Sequence, residues 1–112
     1  MEDINLSGYG ENVITMRISE SITGKNDIVK IVDNYKVGPC ASGDPFFGVL
    51  LNFRGEYAAI QTKGYFKLKK SGTINVGYQE LAANSSSTIK ALEGGVPCHV
   101  VAVDDTYVEF II

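Results

Sequence analysis

The stretch from Val37 to Leu68, VGPCASGDPFFGVLLNFRGEYAAIQTKGYFKL, decides the fold. It reads as three short strands set off by glycine turns. Ser42-Gly43-Asp44-Pro45 is a turn cluster, Phe46 to Phe53 an apolar run, and Arg54-Gly55 a tight reversal. Tyr57 to Lys63 is a second run, and Gly64 breaks it before Tyr65-Phe66-Lys67-Leu68. Gly43, Gly55 and Gly64 are therefore expected to be turn or bulge glycines, at least one with positive φ. Asp44 and Pro45 complete the first turn.

Toward the N-terminus, Ile28 to Val32 reads as a strand ended by Asp33-Asn34, whose short side chains bond neighbouring backbone. Val13 to Ile18 alternates as another strand, and Ser19 to Asn26 is a polar loop around Gly24. Residues 1–12 are polar, with only Ile4, Leu6 and Tyr9 to offer a partner. They read as a mobile arm ahead of a domain over 13–112. Toward the C-terminus, Lys70-Ser71-Gly72 is a turn and Ile74 and Val76 alternate with Asn75. Tyr78 to Ala83 is open between a strand and one helical turn, since six residues make no stable helix alone. Asn84 to Ser87 is a loop, and Thr88 to Leu92 is a weak strand. Cys98 to Val103 and Tyr107 to Ile112, joined at Asp104-Asp105-Thr106, form the clearest hairpin. So apolar a C-terminus is expected to be tied into a sheet.

About eight short strands without a long helical period predict an all-β domain, a single small barrel or sandwich with at most one helical turn. Period-two runs place Ile28, Val49, Leu51, Ile60, Phe66, Val101, Val103, Val108 and Phe110 in its core.

The 112 residues form one domain able to fold without metal or disulfide staples. A formal charge of −3 opposes general attraction to nucleic acid or anionic lipid. Lys63, Lys67, Lys69 and Lys70 cluster, and read as a lysine-protected edge strand. No apolar segment has the length of a membrane helix and the first residues carry no export signal, so a cytosolic chain is expected. Cys40 and Cys98 lack CxxC spacing; a bridge between them is open, and buried free thiols are the plainer reading.

Chemistry is not evident. His99 is the single histidine, and a strand turns it away from its neighbour Cys98, which removes the best metal pair and any Cys/His or Ser/His/Asp arrangement. Gly24-Lys25 lacks the remainder of a phosphate loop. Asp104-Asp105 is turn chemistry. The six tyrosines suit strands as well as base or sugar stacking. The residues thus predict no enzyme, no cofactor and no metal.

Ala41-Ser42-Gly43-Asp44-Pro45, Phe47-Gly48-Val49, the run from Ala59 to Leu68 and the hairpin Cys98 to Ile112 together resemble the small capsid decoration, or cement, proteins of tailed bacteriophages. Those proteins tend to show an "aGDpv.G" turn, a "v.t.Gvf.l" strand and a valine-rich C-terminal hairpin. The resemblance covers roughly residues 27–112. It implies a non-catalytic β-barrel made in the host bacterial cytoplasm that joins the virion. There it binds the major capsid protein on the outside of the shell, often as a homo-trimer, with Ile4, Leu6 and Tyr9 of the arm as possible contacts. The alternative is a carbohydrate- or protein-binding β module of a fibre or host-attachment structure, which surface tyrosines beside a concave patch favour.

Overall fold

The structure, a computed structural model, describes residues 10–19 and 27–112. They carry ten strands and no helix: β1 Asn12–Ile18, β2 Ile28–Asp33, β3 Lys36–Pro39, β4 Gly48–Arg54, β5 Tyr57–Lys63, β6 Tyr65–Lys70, β7 Gly77–Ala83, β8 Thr88–Ala91, β9 Val96–Val103 and β10 Tyr107–Ile111. The all-β expectation holds, and the barrel is double. β1-β3-β2-β4-β5 close one five-stranded barrel and β6-β8-β7-β9-β10 close a second.

The two barrels have one plan. In each, the first strand runs parallel to the third and antiparallel to the fifth, and all other pairs are antiparallel. The registers coincide too. Arg17 pairs with Lys36 and Tyr57 in the first barrel, and Lys69 pairs with Thr88 and Tyr107 in the second. Val29 opposite Pro39 and Ile31 opposite Val37 become Leu81 opposite Ala91 and Ala83 opposite Ile89. The inward side chains correspond one for one. Met16, Val29, Val37, Leu50, Ala58 and Ile60 fill the first barrel; Leu68, Leu81, Ile89, Val100, Val108 and Phe110 stand at the same places in the second.

The larger core of the second barrel is completed by the first barrel's outer wall, through Ile28, Cys40, Phe46 and Val49. Successive strand residues face opposite sides. Ile28 therefore enters the larger core and Val29 the smaller, and Val49 and Leu50 divide in the same way. Phe46 meets Phe110 edge-on at 6.1 Å, and Phe47 packs on the smaller core. Gly48 opens β4 because a Cβ there would lie 2.4 Å from the Gln61 carbonyl oxygen.

Gly64 alone separates β5 from β6. The buried amide of Gln61 holds this corner, its Nε2 donating to the carbonyls of Lys63 (3.1 Å) and Tyr65 (3.0 Å). Ile112 donates to the Gly64 carbonyl at 3.1 Å, which ties the C-terminus down as expected.

Several expectations are corrected. Leu51 is only half-buried and Val101 is exposed, for one reason: each is the extra residue of a β-bulge, at equivalent places in β4 and β9. A bulge residue drops out of the in-out alternation. Val103, beyond the second bulge at the barrel rim, is also exposed. Ile28, Val49, Ile60, Phe66, Val108 and Phe110 are buried. Residues 77–83 are a strand. Lys36–Pro39, not foreseen, is another, whereas Ile74 and Val76 lie in a strandless connection from which Ile74 alone reaches the core. The lysine-rich strand is not a free edge along its whole length, because β6 pairs with β10 on one side and, at Lys69 and Lys70, with β8 on the other.

Leu50→Ala is expected to cost about 2–5 kcal/mol in urea unfolding, and Leu51→Ala and Val101→Ala under about 1 kcal/mol each, since only the first opens a core cavity.

Candidate functional site

The turn Ala41 to Pro45, which carries the resemblance, is a clasp between the barrels. Gly43 N–H donates to the Ala83 carbonyl at 2.8 Å, and Ala83 N–H returns a bond to the Asp44 carbonyl at 3.0 Å. The Asp44 carboxylate accepts from Lys30 Nζ at 2.7 Å and from Ala41 N–H at 2.9 Å, and Lys90 Nζ donates to Ser42 Oγ at 2.8 Å. The Lys30 hydrogen bond, aided by the Ala41 amide, holds the Asp44 carboxyl below its ordinary value, and the same bond raises Lys30. Pro45 is exposed and ends the turn. Gly43, Gly55 and Gly64 have φ of 89°, 61° and 108°. These sequence-selected positions are distributed over the clasp, one hairpin tip and the corner between barrels, and they do not converge on one site. Ile4, Leu6 and Tyr9 lie outside the described residues.

Cys40 and Cys98 are buried, unpaired thiols. Burial pushes Cys40 up to about 11 and Cys98 up to about 12, so neither supplies a thiolate near neutrality. His99 is exposed on the other face of β9, its ring 5.8 Å from that of Tyr78. Among the described residues no group of three or more His, Cys, Asp or Glu is placed to hold a metal.

Among the described residues, two concavities bear on the search for a site. One, of about 400 Å³, lies at the junction between the barrels and is lined by Ile14, Phe46, Phe47, Thr62, Lys63, Val96 and Ile112. The other, of about 250 Å³, is a cleft on the first barrel lined by Thr15, Met16, Arg17, Tyr35 and Tyr57. Tyr35 is 78% exposed at the tip of the β2–β3 hairpin, and Tyr57 is 52% exposed. The Tyr35 carbonyl accepts from Arg17 N–H at 2.8 Å, and the Arg17 guanidinium donates to the Asn34 carbonyl at 3.0 Å. Tyr35 is also the one non-glycine residue with positive φ among the described residues, at 54°. A bulky side chain is rarely held there, and backbone strain of this kind collects at functional positions.

Sequence reasoning weighed the six tyrosines only as a set and did not join Tyr35 and Tyr57 to Arg17. The available signal was the turn Asp33-Asn34-Tyr35, in which an aromatic occupies a place that suits glycine or asparagine. No family model matches the chain, and no curated protein matches it.

Two outcomes follow. Because Asp44 is lowered in the folded protein, its contribution is present above the ordinary aspartate value of about 3.9 and is lost as pH falls through the folded value. Asp44→Asn is expected to lower the melting temperature at pH 7, with the gap to wild type closing on acidification; a pH series of thermal melts reads this. Tyr35→Asn is expected to stabilise by about 0.5–1 kcal/mol in urea, because asparagine tolerates the left-handed backbone.

Proposed function

We propose that this chain is a non-catalytic structural protein that binds the outside of an assembled phage capsid and stabilises it, with the major capsid protein as partner. One observation carries the docking surface. The β2–β3 hairpin exposes Ile31, Val32 and Tyr35, whereas the matching positions in the second barrel are Ala83, Asn84 and Ser87. The second barrel builds the same hairpin without those apolar groups, so the fold does not require them. Unrequired apolar side chains at one end of a small domain mark a contact surface. The resemblance in the clasp and the C-terminal hairpin supplies the kind of partner. Copies bound across subunit junctions stabilise the shell by mass action.

A second reading, a carbohydrate- or protein-binding module, is favoured by the cleft between Tyr35 and Tyr57, where surface tyrosines stand beside a concave patch. Both readings use the hairpin end of the first barrel.

The test looks for a major capsid gene next to the one for this chain and uses shells assembled from its product. Binding at a fixed copy number that raises the shell's heat tolerance is expected. Replacing Ile31 and Val32 by serine is expected to weaken binding by about tenfold or more, while the free protein melts within a few degrees of wild type. Shells left undecorated, or decoration indifferent to the hairpin, would count against the reading.

A further inference from the structure

The repeated architecture gives the Tyr35–Tyr57 cleft an internal reference, because every residue around it has a counterpart in the second barrel. Tyr57 corresponds to Tyr107, each directly opposite a cation of the first strand, Arg17 in one barrel and Lys69 in the other. Around Tyr107 the space is filled. Lys67 places its ammonium 5.1 Å from the ring centre, Glu109 stands directly opposite Lys67, and the Asp104 charge acts on it from the hairpin turn. Ser87 occupies the place of Tyr35. Asp104 and Glu109 are the acids beside Lys67, and Glu109 also accepts from the Tyr65 hydroxyl at 2.6 Å.

Around Tyr57 the same four positions differ in a consistent direction. Lys67 becomes Thr15, which leaves the face of the ring open. Glu109 becomes Ala59, and Asp104 becomes Arg54, which stands directly opposite Tyr57 in the ladder. Ser87 becomes Tyr35, a second ring on the cleft wall. Both carboxylates are gone, an arginine has replaced one of them, and the row across the strands reads Lys36, Arg17, Tyr57, Arg54. Asp33 opposes Lys36 in the ladder, and Glu56 is at the neighbouring hairpin tip; neither lines the cleft.

A ligand for this cleft needs an apolar face for the tyrosine rings and a negative charge for the Arg17 guanidinium. Arg17 spends one donor on the Asn34 carbonyl and keeps the rest of its fork. A cationic ligand is disfavoured, since the acids that stabilise Lys67 over Tyr107 have no equivalent here. An extended peptide gains its affinity by main-chain pairing with a free strand edge. The first barrel is a closed ring in which β1 meets β3 only at Arg17 and Ile18, so a peptide on the rest of β1 is the competing occupant that the glutamate-rich peptide below tests. A polyphosphate strand running beyond the cleft meets Asp33 at one hairpin tip and Glu56 at the other. A single carboxylate on Arg17 within the cleft meets neither.

We propose that the Tyr35–Tyr57 cleft binds a carboxylate-bearing pyranose, the uronic-acid unit of an acidic polysaccharide, whose C–H face packs on the tyrosine rings while its carboxylate meets Arg17. The inference rests on the second reading above and gives it a ligand class.

The test is isothermal titration of the full chain with trigalacturonate, and with neutral maltotriose for comparison. Saturable binding of the acidic sugar is expected, with the neutral sugar about tenfold or more weaker, as loss of one charged contact implies. The double variant Thr15→Lys/Ala59→Glu installs the lysine and glutamate of the second barrel in the cleft. It is expected to lose binding by about tenfold or more at an unchanged melting temperature, and Arg17→Gln to do the same should the double variant melt early. Absence of saturable binding to trigalacturonate, or full binding by these variants, overturns the proposal. Equal binding of maltotriose overturns the acidic-sugar inference and leaves the carbohydrate-module reading standing. Tighter binding of a glutamate-rich peptide or of oligothymidylate assigns the cleft to another class and overturns it too.

Discussion

The structure depends on a wall with two apolar faces. A strand in an ordinary barrel has one side for the core and one for water, so its residues alternate between apolar and polar. In β2 and β4 the side that would meet water meets a second core. Ile28 and Val29, like Val49 and Leu50, are consecutive apolar residues that serve different interiors, and Phe46 and Phe47 do the same just before β4. Neither barrel is large enough to hold a generous core alone. By lending its outer face, the first barrel gives the second a core of fourteen buried residues, against six in its own. The clasp at Asp44 and the corner at Gly64 fix the barrels at the angle that this wall requires.

The second barrel does not build such a wall on its own outer face. The positions of the second barrel that match Ile28, Cys40 and Val49 by register are Glu80, Leu92 and His99. Glu80 accepts a hydrogen bond from Gly94 N–H, and Leu92 and His99 are exposed.

Much of this was legible in the residues. The strand runs and glycine turns were readable because turn chemistry is local, and the tethered C-terminus followed from Phe110-Ile111-Ile112. The duplication was not. The six pairs of equivalent core residues, from Met16 and Leu68 to Ile60 and Phe110, share apolar character and no identity, and apolar character at strand spacing is common to any β protein. The bulges at Leu51 and Val101 were hidden because period-two counting assumes unbroken ladders. The cleft was hidden for a different reason. Arg17, Tyr35 and Tyr57 come together only because β1 pairs with both β3 and β5, a long-range closure that spacing along the chain does not carry.

The corner at Gly64 also brings distant parts of the chain side by side. Asn12, at the head of the first strand, pairs with Lys63, and Ile112 pairs with Gly64, so the two strand ends flank consecutive residues. Strand order around a closed barrel is unaffected by where the chain is cut. A short bridge from Ile112 to Asn12, with new ends opened at an exposed hairpin tip such as Gly55, would thread the same two barrels in a different order. The architecture is in this sense a pair of rings sharing a wall, and its connectivity admits circular permutation.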